Sequence, residues 1–138
     1  MKLVSSKETD NKLRWEVYVK EDATTFYVYI PKWRVPRPWP SRIFVSIKEW
    51  QPLALPGLTP ARARSGDLEN VIRAAVRRVS RHTRTIRFSA LGDPKDSEIG
   101  DPYIPCSLLP SGDPQNVIIE ISWDLSSKGE FSEFRGEA

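Results

Sequence analysis

Arg73, Arg77 and Arg81 recur at intervals of four residues, with Arg78 beside them and Arg84 and Arg87 just beyond. A guanidinium is planar and permanently charged, and its parallel N–H donors fit phosphate or carboxylate oxygens two at a time. A row of such groups predicts a surface that holds an anion. That anion is either the phosphate backbone of a nucleic acid or the carboxylates of an acidic protein. Arg62 and Arg64 precede the row, and only Glu69 is placed to relieve it.

A second group lies in KWRVPRPWPSR, residues 32–42. Trp33, Trp39, Lys32, Arg34, Arg37 and Arg42 are interleaved there with Pro36, Pro38 and Pro40, and Pro31 precedes them. No two of these prolines are three apart, so the segment does not suit an SH3-type receptor. It predicts a stiff, extended backbone instead. Tryptophan and arginine can stack on unpaired bases, each base worth about 1–3 kcal/mol, and the same residue types anchor protein interfaces. The competing reading is that Trp33 and Trp39 cover the edge of a sheet. Tyr18, Tyr27 and Tyr29 read more simply as packing residues than as a stacking platform.

Catalytic groups are sparse. His82 is the only histidine, which excludes a His-rich metal site. As a general base it would need Cys106 or a serine nearby, and at a helix end it reads as a capping group. Cys106 is the only cysteine, so no disulfide forms within the chain, and no cation adjoins it in sequence to activate it. Asp93, Asp96, Glu98 and Asp101 cluster without the EF-hand spacing and read as a solvated loop. Asp113 and Glu120 loosely resemble the Asp…Glu-x-Lys pattern of metal-dependent restriction nucleases. Ser122 stands at the lysine position, however, and the charge needed beside an attacking hydroxide is missing.

The elements that position these groups follow from periodicity. LRWEVYV (13–19), FYVYI (26–30) and RIFVSIKEW (42–50) alternate apolar and polar residues as half-buried strands do. TIRFSAL (85–91) and NVIIEISWDL (116–125) add two more. Residues 51–66 carry Pro52, Pro56 and Pro60 and predict an extended connection. After Asp67 as N-cap, the steps Leu68, Val71, Ile72, Ala75, Val76, Val79 predict a helix over about 68–81, with the arginines on its other face. Gly92-Asp93-Pro94, Gly100-Asp101-Pro102 and Gly112-Asp113-Pro114 are turn-makers at unequal spacing, not a repeat. The expectation is an α+β domain of order β-β-β-α-β-β. Its curved or partly closed antiparallel sheet of about five strands carries one amphipathic helix.

At 138 residues the chain fits one domain able to bury a core, with residues 1–11 and 126–138 as flexible or loosely docked tails. No apolar run is long enough for a transmembrane helix, and the first residues lack a signal-peptide core, so a cytoplasmic protein is expected. The net charge of +3 conceals a division. Residues 31–90 carry 13 basic and 3 acidic side chains, and residues 91–138 carry 3 basic and 10 acidic. The two regions either face different partners or neutralise each other, within the fold or between subunits.

The sequence therefore points first to a small non-catalytic nucleic-acid-binding module. Its contacts would be Arg73, Arg77, Arg78, Arg81 and Arg84 on the helix, with Trp33, Arg34, Arg37, Trp39 and Arg42 beside it, and it would need no cofactor. The alternative is a protein-interaction or assembly module whose basic middle meets an acidic surface, on another protein or on a second copy. A metal-dependent nuclease is a distant third.

Overall fold

Alternation governs the molecule more completely than the sequence suggests. The computed structural model describes residues 1–49, 70–92, 96–110 and 113–124. They form eight strands: β1 (Lys2–Glu8), β2 (Lys12–Val19), β3 (Thr24–Pro31), β4 (Arg42–Glu49), β5 (Val71–Arg81), β6 (Thr85–Ala90), β7 (Tyr103–Pro105) and β8 (Asn116–Ser122). Every neighbouring pair is antiparallel, in the order β3-β2-β1-β4-β8-β5-β6-β7. β7 returns beside β3, so the sheet curls into a nearly closed barrel. Among the described residues there is no α-helix, only short 3-10 turns.

The five-stranded α+β expectation is thus overturned. The segment read as a helix is β5, paired on both sides with β8 and β6. The apolar steps of 3 and 1 misled because they place adjacent residues on one helical face, whereas a strand separates them. Ile72, Ala74 and Val76 point into the barrel. Ala75 lies on the outer side, under Leu91 and Ile118. Val79, a core position of the expected helix, is half exposed. Four β-branched residues in this stretch favour a pleated backbone once partner strands exist. The N-terminal segment expected as an arm is β1, which lies between β2 and β4. The proline-rich connection, the Asp67 cap and the 126–138 tail lie outside the described residues.

The interior is filled by side chains, as expected for a barrel of this strand number. Trp15, Phe26, Phe88, Leu3, Leu13, Ile30, Ile43, Ile72, Ile86, Ile104 and Ile119 are all fully buried. Charges such as Arg73, Arg77 and Glu120 face outward, the reverse of a barrel that presents an apolar band to lipid. No helix among the described residues is long and apolar enough to cross a membrane.

The Pro/Trp segment is the crossover that this strand order demands. β3 and β4 are separated in the sheet by β2 and β1, so residues 32–41 must pass over one end of the barrel. Val35 and Trp39 turn inward and close that end. Backbone bonds stitch it down, Lys32 N–H to Asn11 C=O at 2.9 Å and Ser5 N–H to Ser41 C=O at 2.7 Å. The indole of Trp15 donates to Pro40 C=O at 3.1 Å. Arg34 reaches the far wall, where it pairs with Glu98 and donates to Val71 C=O.

Between β3 and β7 the barrel is tied at its ends. Gly100 N–H donates to Tyr29 C=O at 2.9 Å. At the other end Ser107 N–H bonds the Asp22 carboxylate at 3.1 Å, and Arg84 donates to Ala23 C=O at 3.2 Å. The first tie favours a glycine, because a Cβ at residue 100 would stand 3.3 Å from Tyr29 Cβ and the neighbour would have to give by a few tenths of an ångström. Gly100→Ala should cost about 1–3 kcal/mol through overpacking. Thermal melting checks this, and an unchanged midpoint would show that Tyr29 gives way to the added methyl without cost.

Candidate protein-interaction face

Four arginines of the basic middle each meet a carboxylate from the acidic last third. Arg73 bonds Glu120 at 2.8 Å, Arg78 approaches Asp113 to 2.8 Å, and Arg87 bonds Asp101 at 2.9 Å. Arg34 and Glu98 form the fourth pair, with side chains only 9% and 7% exposed. The division of charge along the sequence is therefore used in part to join the two regions within the fold. The first three pairs are solvated and contribute about 0–1 kcal/mol each. They neutralise surface charge more than they hold the barrel together.

The arginine row survives on β5, but in altered form. A step of four is also a multiple of the strand period of two, so Arg73 and Arg77 share the outer face. Between Arg78 and Ser80 the register shifts by a bulge. Beyond it Ser80 opposes the outward Arg87, and Arg81 opposes the inward Ile86. Arg81 therefore leaves the row and stands exposed at the rim. Among the described residues there is no α-helix to carry an Arg-rich face, and two of its intended contacts, Arg73 and Arg78, are paired with Glu120 and Asp113. The nucleic-acid reading loses the element on which it rested.

Several cations keep no carboxylate partner among the described residues: Arg77, Arg81 and Arg84 around the β5–β6 hairpin, and Arg37, Arg42 and Lys48 elsewhere. Val79 on β5 and Tyr103 on β7 are about half exposed in the same three-strand region. His82 lies against Tyr103, ring centroids 5.5 Å apart, and its Nε2 is 3.2 Å from Ser80 Oγ. Arg87 sits over the same tyrosine at 5.9 Å. Its hydrogen bond to Asp101, then the negative charge that Tyr103 gains at high pH, raises the Arg87 pKa above its already high ordinary value, while desolvation acts the other way.

Asp101 also accepts from Ser89 Oγ at 3.2 Å, and both line a cleft of about 450 Å³ at the β3 end of this face. Lys12, Pro31, Trp33, Ile99 and Gly100 complete most of its wall. Of the two tryptophans singled out in the sequence, Trp39 is buried and Trp33 is 63% exposed. Arg37 lies 4.2 Å above the Trp39 ring, and Arg34 is committed to its buried pair. Arg42 stands exposed on the outer side of β4, beside Val4. Tyr18 and Tyr27 are exposed, against the expectation of an overlying layer, and Arg14 lies 4.6 Å over Tyr27.

Lys12 had no distinguishing pattern in sequence, and Asp101 was read only as part of a solvated acidic loop and a turn. The glycine and aspartate of that Gly100-Asp101-Pro102 turn both line the cleft. The nuclease pattern does not assemble. Glu120 and Asp113 are held by arginines five positions apart on β5, about 16 Å at the strand rise. Among the described residues no three His, Cys, Asp or Glu side chains converge on a metal position. No protein-family model, curated protein or solved structure matches the chain.

Proposed function

We propose that this protein is an interaction module whose β5–β6–β7 face docks an acidic protein surface. One observation carries the reading. After four arginines are paired internally, Arg77, Arg81 and Arg84 keep no carboxylate partner among the described residues around one hairpin, and Val79 and Tyr103 are exposed there. Arginine and tyrosine around a small apolar centre are the composition from which protein interfaces draw most of their energy. The acidic surface belongs to another protein or to a second copy of this chain.

The test is fluorescence anisotropy with a short Glu-rich peptide, its Gln counterpart, and single- and double-stranded oligonucleotides of matched charge. The Glu peptide should bind, the Gln peptide should not, and added salt should weaken the complex as it screens exposed charge. Changing Arg77, Arg81 and Arg84 together to Glu should weaken binding at least about tenfold, near 1.4 kcal/mol. Oligonucleotides bound more tightly than the peptide would overturn the reading. Sedimentation of the protein alone separates the two partners, because a dimer that dissolves with salt puts the acidic surface on a second copy.

A further inference from the structure

We infer that the cleft between β3 and the β6–β7 loop is an anchor pocket for an acidic peptide segment bearing one aromatic side chain. This deepens the reading above and rests on it.

The argument begins with Trp33. An indole left 63% exposed is a large apolar surface in water, and here its backbone has little freedom. Lys32 on one side is paired with Glu8 at 2.7 Å, and Arg34 on the other is buried against Glu98. Trp33 is therefore held on a fixed turn with its ring presented to the cleft. A rigid, preplaced aromatic loses little conformational entropy when a ligand covers it.

The charges in the cleft narrow the ligand further. Asp101 is a lining residue, but both its oxygens are already bonded, one to Arg87 and one to Ser89. Lys12 also lines the cleft and has no ion pair among the described residues. The uncommitted charge is thus positive, and it calls for an anion. Pro31, Ala90 and Ile99 supply apolar wall next to it. The fitting chemistry is a carboxylate a few ångströms from a flat apolar group. At about 450 Å³ the volume lies within the range of ligand pockets. The cleft is also open and continuous, through Asp101 and Arg87, with the cationic hairpin face. A chain that fills it can continue along that face, and this favours an acidic peptide over a free aromatic acid.

The experiment uses the full chain and four probes. These are a short peptide with one tryptophan between glutamates, its Trp→Ala and Glu→Gln counterparts, and free indole-3-acetate. Affinities are measured by titration calorimetry, and the amides of Ser89, Ala90, Ser97 and Gly100 are followed by NMR. The Glu-Trp-Glu peptide should shift those amides and bind about tenfold tighter than either counterpart. Trp33→Ala and Lys12→Gln should each remove that advantage, and Lys12→Arg should retain most of it. Both side chains are exposed, so the variants should melt as the parent does. Unshifted cleft amides, or unchanged affinity in Trp33→Ala, would overturn the inference. Indole-3-acetate binding as tightly as the peptide would overturn it too, in favour of a small-acid site. If the plain Glu-rich peptide still depends on Arg77, Arg81 and Arg84 while the cleft variants change nothing, this inference fails and the broader reading stands. If the hairpin arginines do not matter, the broader reading fails.

Discussion

Glu98→Gln should lower the stability of the barrel by about 3–5 kcal/mol, because it removes the negative charge from a buried ion pair with Arg34. The glutamine keeps the size and some hydrogen bonding of the native side chain, so the loss measures charge more than packing. Arg34 is the point where the crossover over the barrel end is fastened to the opposite wall, through Glu98 and Val71 C=O. Arg34→Ala should be at least as costly. Urea unfolding followed by circular dichroism reads both as a lower midpoint. Replacing the pair together, Arg34→Met with Glu98→Leu, should recover most of the loss, since an apolar pair of similar size removes the buried charge. A shift below about 1 kcal/mol in Glu98→Gln would mean that the pair behaves as a solvated one. The crossover would then be held by Val35, Trp39 and its backbone bonds.

Trp15→Ala should cost about 3–5 kcal/mol, the loss typical of a large aromatic removed from a core. Trp15 is fully buried on β2, and its indole N–H reaches Pro40 C=O in the crossover. The residue thus joins the barrel interior to the segment that closes its end. Trp15→Phe separates the two contributions. It preserves much of the packing but leaves a buried carbonyl without its donor, a penalty of about 1–3 kcal/mol. If Phe and Ala variants unfold at the same midpoint, the hydrogen bond dominates. A Phe variant as stable as the parent would show that water reaches Pro40 in this end of the barrel.

The strands with strict alternation were legible one by one. LRWEVYV, FYVYI, RIFVSIKEW, TIRFSAL and NVIIEISWDL became β2, β3, β4, β6 and β8, with ends moved by one to three residues. The stretch from Val71 to Arg81 was not, because its apolar residues fit a helical face as well as a strand buried partly on both sides. Only pairing with β8 and β6 decides between them, and that pairing is a contact between distant residues. β1 was missed because KLVSSKE holds only two apolar residues, Leu3 and Val4, and its burial depends on neighbours far along the chain. β7 is three residues long and has no period to read.

The candidate site divides in the same way. The sequence by itself determined the chemistry: an excess of arginine in the middle, carboxylates in the last third, and a stiff Pro/Trp segment between two strands. These are local properties of composition and backbone restriction. Which cations remain free to bind was decided only by the tertiary structure, because an ion pair depends on distance in space. Glu120 covers Arg73 across a β-ladder, 47 residues away in sequence. A bulge then turns Arg81 off the face that its spacing shared with Arg77. Trp33 and Trp39 look alike in sequence, yet one end of the barrel buries the second and leaves the first in water.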